Sequence, residues 1–508
     1  VCSSDLPAKY GTVADLPSGV VVHDRRELDL VQRELREIAG VSALIFDQTC
    51  AAELHRKRKR GLVPTPDKRV VINDLVCEGC GDCNVQSNCL SVMALETEFG
   101  RKRRINQSSC NQDFSCLEGF CPSFVTLRGA KRNPPRPLAT AALPSLPEPT
   151  QARIAGVHNI LIAGVGGTGV VTASGLLGLA AHLEGKHVAQ LDQTGLAQKF
   201  GAVLSHVRIA TERERLHGMR IPAGQVDVLL GADLVVAAGK EPLAMLAADR
   251  SAVIVNTHEE MPPSFIRDRD FVFPGSNLLH HLQVLTRDNE LATLDATRLA
   301  SALLGDSIGA NVLMLGFAFQ RGLLPVSGAA LYRALELYGR NVEENKLAFD
   351  WGRFAAQSPA EVDRLANAPD LATVPSTTLP DTIARRVEFL TGYQDRAYAD
   401  RYRTRIERIA AVEQRVRPGS TKLQEAVARN YFALLASKDE YEVARLHTAR
   451  EFVDSIRRNF GPGARMSFNF SPPLFARLDP ATGRPRKYEF GPWITPVLRA
   501  DRKSTRLN

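Results

Sequence analysis

Residues 159–170 read NILIAGVGGTGV. The apolar run before the first glycine is typical of a buried strand, and the glycines that follow allow a tight turn into a helix. A helical pattern continues over 170–183 and a second strand over 187–191, which predicts a βαβ unit. Further strand-like runs follow, so we predict a mostly parallel α/β domain over residues 157–350. These runs cover residues 207–210, 226–230, 234–237 and 253–255.

The overall composition is that of a folded protein with several domains. The chain has 508 residues, of which 44% are hydrophobic, and a single core rarely grows to this size. Its 64 Lys and Arg against 56 Asp and Glu give a net charge of +8, which is too dilute to indicate nucleic-acid binding. The longest uncharged stretch, 154–183, is broken by glycines and polar residues, and no secretion signal is evident. We therefore expect a cytoplasmic protein that binds neither membranes nor nucleic acid.

Changes in composition divide the chain into segments. Pro and Ala dominate the region after Asn133, Ser and Pro are frequent before Pro380, and helical periodicity follows Asp381. Near the start, a helix and an apolar run at 41–46, predicted as a buried strand, are too little for a core of their own. We predict the tail of a larger α/β domain at 7–62, a cysteine-rich domain at 63–132, linkers at 133–156 and 351–380, and a mainly helical, truncated domain at 381–500.

Four cysteines have the spacing of an iron-sulfur site. Cys77, Cys80 and Cys83 follow one another at three-residue steps, and Cys121 directly precedes a proline. In bacterial ferredoxins, closely spaced cysteines and a remote cysteine before proline bind 4Fe-4S clusters. Glycines between the first three cysteines allow the backbone to turn toward the cluster. We predict that these four cysteines bind one 4Fe-4S cluster.

Alternatives to a single cluster remain open. Cys89, Cys110 and Cys116 could hold a second cluster, although their spacing departs from the ferredoxin repeat. A zinc site is less well supported, because a zinc ribbon uses two Cys-x2-Cys pairs separated by a longer loop. A disulfide scaffold does not fit the expected cytoplasmic location.

The glycine-rich turn is a candidate for binding a cofactor. A strand, a glycine turn and a helix in this order are the context of a dinucleotide or phosphate site, and Asp192 could accept a hydrogen bond from a ribose. A tight turn needed for close packing is the alternative. Residues 192–203 form a long loop with glycines near both ends, which is typical of functional loops. The candidate cofactor-binding residues are Gly164, Gly166, Gly167, Gly169, Gly195 and Gln198.

The two motifs, in this order, resemble the indolepyruvate ferredoxin oxidoreductases. These form a branch of the thiamine-diphosphate-dependent 2-oxoacid:ferredoxin oxidoreductases, and the likeness is to an internal or C-terminal fragment of their long fused form. The glycine turn and the loop after it are similar to the γ-type domain of that superfamily. The stretches that carry the resemblance are 76–83, 96–102, 120–123, 164–169, 195–199 and 311–316.

The resemblance implies a function and a set of cofactors. It implies oxidative decarboxylation of an aryl 2-oxoacid with coenzyme A, and transfer of the electrons through a 4Fe-4S cluster to ferredoxin, in a homo-oligomer. Thiamine diphosphate and Mg would bind upstream, because no Gly-Asp-Gly segment with a following Asn occurs in residues 7–61. We therefore expect this fragment to be inactive alone, and no catalytic residue is assigned. The alternative is a free-standing iron-sulfur electron-transfer or docking subunit without its own reaction centre.

Taken with the resemblance, the sequence predicts an α/β multidomain fold. Its parts would be a ferredoxin-like iron-sulfur module, a mostly parallel α/β domain of the γ type and a mainly helical C-terminal region.

Overall fold

The computed structural model of the chain describes residues 2–4, 17–24, 27–47, 50–130, 143–195, 201–262, 264–268, 270–289, 291–366, 378–472, 477–478, 483 and 485–504. These residues divide into two compact units. One comprises Val1–Asp67 together with Asn111–Asp113, and the other comprises Lys68–Cys110 and Phe114–Asn508.

The first unit contains three short parallel strands in the order β2-β1-β3. The apolar run at 41–46 was predicted to be a buried strand, but only its last two residues form a strand, and both are largely exposed. No other described layer of this unit covers them. The elements are β1 (Cys2–Ser4), β2 (Val22–Asp24), α1 (Leu28–Glu37), β3 (Ile45–Phe46) and α2 (Ala51–Lys59).

The cysteine-rich segment forms a small module at the start of the second unit. Its first and last strands pair in an antiparallel manner, and its two middle strands form a hairpin. The elements are β4 (Lys68–Ile72), α3 (Asp82–Ser87), β5 (Val92–Thr97), β6 (Gly100–Ile105) and β7 (Phe124–Arg128).

A six-stranded sheet forms the centre of the next domain, in the order β13-β12-β11-β8-β10-β9. Strands β8, β11, β12 and β13 are parallel, as predicted, whereas β10 lies between β8 and β9 and is antiparallel to both. The prediction of a strand at 234–237 was wrong: these residues form a short helix, because the side chain of Asp233 accepts from the amide of Val236 and caps its N-terminus. The strands are β8 (Val157–Val165), β9 (His187–Thr194), β10 (Ala202–Ala210), β11 (Val228–Gly231), β12 (Ala252–Asn256) and β13 (Ala292–Leu294).

Helices cover both faces of this sheet, and separate apolar clusters fill the two spaces. The helix at Ala310–Gln320 is buried along almost its whole length, as its nearly uniform apolar sequence requires. The helices are α4 (Val170–Leu183), α5 (Leu234–Ala237), α6 (Lys240–Met245), α7 (Ser264–Arg267), α8 (Gly275–Gln283), α9 (Ala296–Leu303), α10 (Ala310–Gln320), α11 (Gly328–Tyr338), α12 (Val342–Gln357) and α13 (Pro359–Ala366).

The predicted linker at 351–380 does not begin where the sequence suggested. Residues 351–357 belong to α12, and Trp351 and Phe354 are buried in the core of the domain. Helix α13 continues to Ala366 and buries Val362. Apolar side chains at helical spacing therefore hold this stretch on the domain, and residues 367–377 lie outside the described part of the chain.

The C-terminal region is mainly helical, as predicted, but it also completes the sheet of the cysteine module. Strand β14 pairs with β7, which gives a four-stranded sheet in the order β15-β14-β7-β4. The sequence had placed these strands in two separate domains. The elements are α14 (Leu379–Tyr393), α15 (Arg396–Val416), α16 (Lys422–Leu435), α17 (Glu440–His447), α18 (Arg450–Phe460), β14 (Arg465–Phe470), β15 (Tyr488–Phe490) and α19 (Ile494–Ser504). Within the described residues, no helix has the length and apolar character required to cross a membrane.

Candidate functional site

The structure brings the four predicted cluster cysteines together. Cys77 and Cys83 are buried, Cys121 is half-buried and Cys80 is exposed. Burial, together with the thiols of Cys77, Cys121 and Cys80, raises the pKa of Cys83 to about 12. Burial also raises the pKa of Cys121, and the thiols of Cys77 and Cys80 raise it as well. The four thiols are thus close enough for their charges to interact, and Cys83 and Cys121 belong to one small apolar cluster.

The glycines between the cysteines are required by the path of the backbone. Gly79 and Gly81 have φ angles of 67° and 81°, in the region that side chains disfavour. A Cβ atom on Gly79 would lie 2.1 Å from the carbonyl oxygen of Arg101. The amide of Gly79 donates to the sulfur of Cys77 at 3.3 Å, so the loop already directs an N–H group toward a ligand sulfur.

A buried cation lies beside the four cysteines. Arg103 on β6 is 1% exposed, its Nε donates to Oδ1 of Asn84 at 3.1 Å, and the charges of Cys83 and Cys77 act on it. Its Nη2 is buried and has no hydrogen-bond partner among the described residues. A cluster bound by four thiolates is anionic and rich in sulfur acceptors, so the residues present fit such a group.

Within the described part of the chain, no group of three or more His, Cys, Asp or Glu side chains could hold one metal ion. A zinc ion needs four ligand atoms within about 2.3 Å of one point, whereas the ligands of a cluster surround a larger group.

The remaining cysteines lie in the same module. Cys116 is buried with Cys83 in one small apolar cluster, and Cys89 and Cys121 pack against it. Cys110 is half-buried and is not part of that cluster. The second iron-sulfur cluster stays a prediction.

The C-terminal region contributes contacts that sequence reasoning missed. Lys438 donates to the carbonyl oxygen of Cys77 at 3.2 Å, and Lys487 donates to that of Cys121 at 3.1 Å. Burial lowers the pKa of Lys487 to about 8, while Cys121 acts in the opposite direction. Both lysines lie more than 300 positions from their partners. No motif surrounds either lysine, so no signal in the sequence could have identified them.

The glycine turn is built as its sequence requires. Gly164 is needed for packing, because a Cβ atom there would lie 2.7 Å from Val170 and 2.9 Å from Ala232. Gly167 and Gly169 have φ angles of 89° and 103°, and the space beside Gly167 is open. The amide of Gly166 donates to the carbonyl oxygen of Gly201 at 2.7 Å, which ties the turn to the start of β10.

Asn311 also holds the glycine turn in place, through a hydrogen bond from helix α10. It lies on α10, is 6% exposed and donates from Nδ2 to the carbonyl oxygen of Thr168 at 3.0 Å. The Thr168 hydroxyl in turn donates to the carbonyl oxygen of Val165 at 2.7 Å. Asn311 opens the stretch at 311–316 that carried part of the resemblance, and the structure gives it a positioning role at the turn.

Asp192 does not have the position of a ribose-binding acid. Strand β10 separates its strand from β8, which leads into the glycine turn. Its two carboxylate oxygens accept hydrogen bonds from Ser174 at 3.0 Å and Gln190 at 3.1 Å. The dinucleotide interpretation of this domain is therefore not supported. The loop predicted at 192–203 is shorter than the sequence suggested, because β9 continues to Thr194, β10 begins at Ala202 and the two strands pair up to these ends. Gly195 is exposed after β9, and Gln198 lies outside the described residues.

A group of titratable side chains lies at the carboxyl ends of the parallel strands, where α/β sheets commonly bind ligands. His258 follows β12, and its Nδ1 lies 3.4 Å from Oδ1 of Asp295, which follows β13. Burial lowers the pKa of His258, but the hydrogen bond and charge of Asp295, together with the charge of Glu260, raise it above its usual value. Glu260 and Asp233 are close enough for their charges to interact with that of His258. Asp233 and His258 each follow a predicted strand, so the sequence could have suggested them.

Comparison with known proteins now identifies the family. Residues 159–355 match the family described as pyruvate ferredoxin/flavodoxin oxidoreductase. Indolepyruvate oxidoreductase subunit IorB of Archaeoglobus fulgidus is 30% identical over 161 residues, which are 32% of this chain and 75% of that protein. The chain belongs to the 2-oxoacid:ferredoxin oxidoreductase family. The IorB subunit of Pyrococcus horikoshii is 29% identical to this family member over 203 residues, which are 39% of this chain and 96% of the archaeal subunit.

Two solved structures also align with part of this oxidoreductase chain. The γ subunit of a keto/oxoacid ferredoxin oxidoreductase from Geobacter sulfurreducens aligns with 40% of this chain and 99% of its own, at 22% identity and a TM-score of 0.29. Pyruvate oxidoreductase subunit PORC of Thermotoga maritima aligns with 39% of this chain and 96% of its own, at 22% identity and a TM-score of 0.29. Residues 379–507 match a family of unknown function (DUF6537), and that match begins at the first residue of α14.

Proposed function

We propose that this oxidoreductase chain transfers the electrons released by oxidative decarboxylation of aryl 2-oxoacids of the indolepyruvate type. The electrons would pass through a 4Fe-4S cluster on Cys77, Cys80, Cys83 and Cys121 to ferredoxin, and coenzyme A would accept the acyl group. The observation that carries this proposal is the convergence of these four cysteines in a module packed against the family's α/β domain. The names of the IorB relatives support the indolepyruvate type.

A 4Fe-4S cluster would supply a one-electron carrier at this site. The buried Cys77 and Cys83 would hold it away from water. Arg103 and Lys487 would offset its negative charge, because Arg103 is buried, Lys487 is half-buried and the charges of cysteine thiols act on both. Buried cations favour the more negative, reduced state, so we expect them to raise the reduction potential.

Side chains of the β5–β6 hairpin fix the cysteine module on the α/β domain. Arg101 donates from Nη1 to the carbonyl oxygen of Phe271 at 2.6 Å. The guanidinium of Arg103 lies over the ring of Phe265, 4.4 Å from its centroid. Arg103 thus contacts the α/β domain with the same group that lies beside the cysteines, which would keep a cluster at a constant distance from that domain.

The glycine turn would contribute to the route for coenzyme A. The open space beside Gly167 leaves room for a ligand to approach the backbone at the N-terminus of α4. Thiamine diphosphate and Mg would be held by another part of the complete enzyme, and a homo-oligomer would be its assembled form. With thiamine diphosphate and magnesium added, we expect this chain alone to show no 2-oxoacid-dependent reduction of a viologen dye.

Metal and sulfide analysis tests the cluster directly. Protein purified without oxygen should contain iron and labile sulfide in equal amounts, with a broad visible absorption that dithionite bleaches. Cys80→Ser should lose this absorption, whereas Cys50→Ser, an exposed cysteine of the other compact unit, should keep it. Stoichiometric zinc with negligible iron and sulfide would contradict the proposal.

A further inference from the structure

A cavity of about 630 Å³ lies where the β5–β6 hairpin meets helices α14 and α16. Sites for small organic molecules commonly have volumes of about 300–1,000 Å³. The hairpin belongs to the cysteine module, and both helices belong to the region that matches a family of unknown function. Neither the proposed cluster nor the glycine turn assigns this cavity a role.

Arg386 is a buried charge in the wall of the cavity, with an exposed fraction of 4%. Its Nη2 donates to the carbonyl oxygen of Glu98 at 3.3 Å, and its guanidinium lies over the ring of Phe432. Its Nε and Nη1 are buried without a hydrogen-bond partner among the described residues. The hydroxyl of Tyr402 donates to the carbonyl oxygen of Ala428 at 2.9 Å, and its oxygen is also close enough to the Arg386 guanidinium to interact with it. An acceptor beside this guanidinium would offset a costly buried charge.

Other charged side chains around the cavity leave an excess of positive charge. Lys102 is 5% exposed and lies close to Lys438. Lys438 pairs with Glu78 at 2.5 Å, and Glu98 pairs with an arginine outside the cavity at 3.6 Å. Arg429 adds a fourth cation at the exposed rim. Four cations therefore face two carboxylates that are already paired.

Aromatic rings form the apolar part of the wall. The rings of Phe99, Phe389 and Phe432 lie against one another with centroids 5.1 to 5.4 Å apart. All three side chains line the cavity beside the basic groups. A flat apolar group could stack against these rings, whereas water finds no hydrogen-bond partner on them.

We propose that this cavity binds an organic anion with a flat apolar body and one carboxylate or phosphate group. The anionic group would lie near Arg386 and Lys102, where the guanidinium fork suits either oxyanion. The apolar body would lie against the three phenylalanine rings. An aryl carboxylate and a nucleotide both offer this chemistry. The inference does not depend on the proposed function, because it uses neither the cluster nor the reaction.

Calorimetric titration of the full chain tests the proposal and distinguishes the two sources. The probes are 2-naphthoate and adenosine monophosphate, with 2-naphthalenemethanol as the neutral analogue and inorganic phosphate as the anion without an apolar body. One aromatic anion should bind to saturation, about tenfold or more tightly than both comparison compounds. Equal binding of the neutral analogue, or no saturation by either aromatic anion at millimolar concentration, would overturn the proposal.

Two variants and a matched control locate the binding. Arg386→Met removes the buried charge but keeps an apolar stem, and should weaken binding of the anion by about tenfold or more. Arg429→Gln, at the rim, should weaken it less and remains informative where Arg386→Met does not fold. Arg408→Met, an exposed change on α15 outside the cavity, should have no effect. Unchanged affinity in both cavity variants would refute the assignment.

Discussion

His447 donates a hydrogen bond from Nε2 to the carbonyl oxygen of Pro122 at 3.0 Å. A carbonyl only accepts, so Nε2 carries the proton, and Nδ1 is left to accept from Nδ2 of Asn73 at 3.3 Å. The ring is fully buried and contacts Phe468 edge to face. Helix α17, which ends at His447, thus holds the Cys-Pro segment that contains the fourth predicted ligand, Cys121.

This arrangement predicts a dependence of stability on pH. Burial lowers the pKa of His447 to about 4, although its hydrogen bond to Pro122 acts in the opposite direction. The unfolded chain takes up this proton near pH 6.5. The neutral, buried His447 therefore contributes its full stability above about pH 6.5. As the pH falls toward 4, the free energy of unfolding decreases by about 3 kcal/mol in all.

Thermal melting of the wild type and His447→Gln across this range measures that contribution. The variant should lose less stability than the wild type between about pH 6.5 and pH 4, because glutamine does not titrate there. His280→Gln, at an exposed position on α8, serves as the matched control. Parallel curves for the wild type and His447→Gln would contradict the expected role of the buried ring.

The close contact between α10 and α12 predicts a severe effect of one added methyl group. A Cβ atom on Gly316 would lie 2.0 Å from the carbonyl oxygen of Phe349, and one on Gly352 would lie 1.9 Å from that of Leu313. We expect Gly316→Ala and Gly352→Ala each to cost about 3 kcal/mol or more, because backbone must move.

Gly175 provides the control for that experiment. It lies on the exposed side of α4, with nothing within 4 Å of an added Cβ atom. Gly175→Ala should stabilise the protein by about 0.5–1 kcal/mol, since alanine favours the helix. Thermal or denaturant unfolding measures all three variants. If all three changes had similar effects, the close helix contact would not be as described.

The acid that holds His258 predicts a second pH effect, of opposite sign. Asp295 and Glu260 together raise the pKa of His258 above its usual value against the effect of burial, so the charged histidine adds stability below about pH 6.5. That contribution is lost as the pH rises through the pKa of the folded state. Asp295 also caps α9, accepting from the amide of Arg298 at 2.9 Å.

Asp295→Ala should therefore cost more at low pH than at high pH. We expect a loss of about 1–2 kcal/mol from the cap alone, and an additional loss below about pH 6 from the ion pair. The difference in melting temperature from the wild type, followed from about pH 5.5 to pH 8, measures it. Asp249→Ala, at an exposed position, is the control. A difference that does not change with pH would show that the pair contributes nothing.

Local patterns in the sequence predicted those turns and helices that are determined by residues close together in the chain. The three-residue spacing before α3, the glycine turn before α4 and the apolar run of α10 each specify a short structure through nearby backbone and side chains. The position of β10 between β8 and β9, and the pairing of β14 with β7, depend on contacts between distant segments. Periodicity does not encode such partners, so the C-terminal contacts to Cys77 and Cys121 could not be predicted.

The hydrogen bonds of Asp192 predict a structural role for this acid. Its carboxylate accepts from the hydroxyl of Ser174, which is fully buried, and from the amide of Gln190. Asp192→Ala should cost about 1–2 kcal/mol, because the buried Ser174 hydroxyl and the half-buried Gln190 amide lose an acceptor. Asp192→Asn should cost less, since one amide oxygen still accepts.

The same geometry predicts that nicotinamide cofactors do not bind to this domain. A ribose would have to compete with Ser174 and Gln190 for Asp192, and β10 separates that acid from the strand that leads into the glycine turn. Calorimetric titration of NAD and NADP should therefore show no micromolar binding in the wild type, and Asp192→Ala should give the same result while melting at a lower temperature. Micromolar binding that disappears in Asp192→Ala would restore the dinucleotide interpretation, because only a ribose held by this carboxylate would respond in that way.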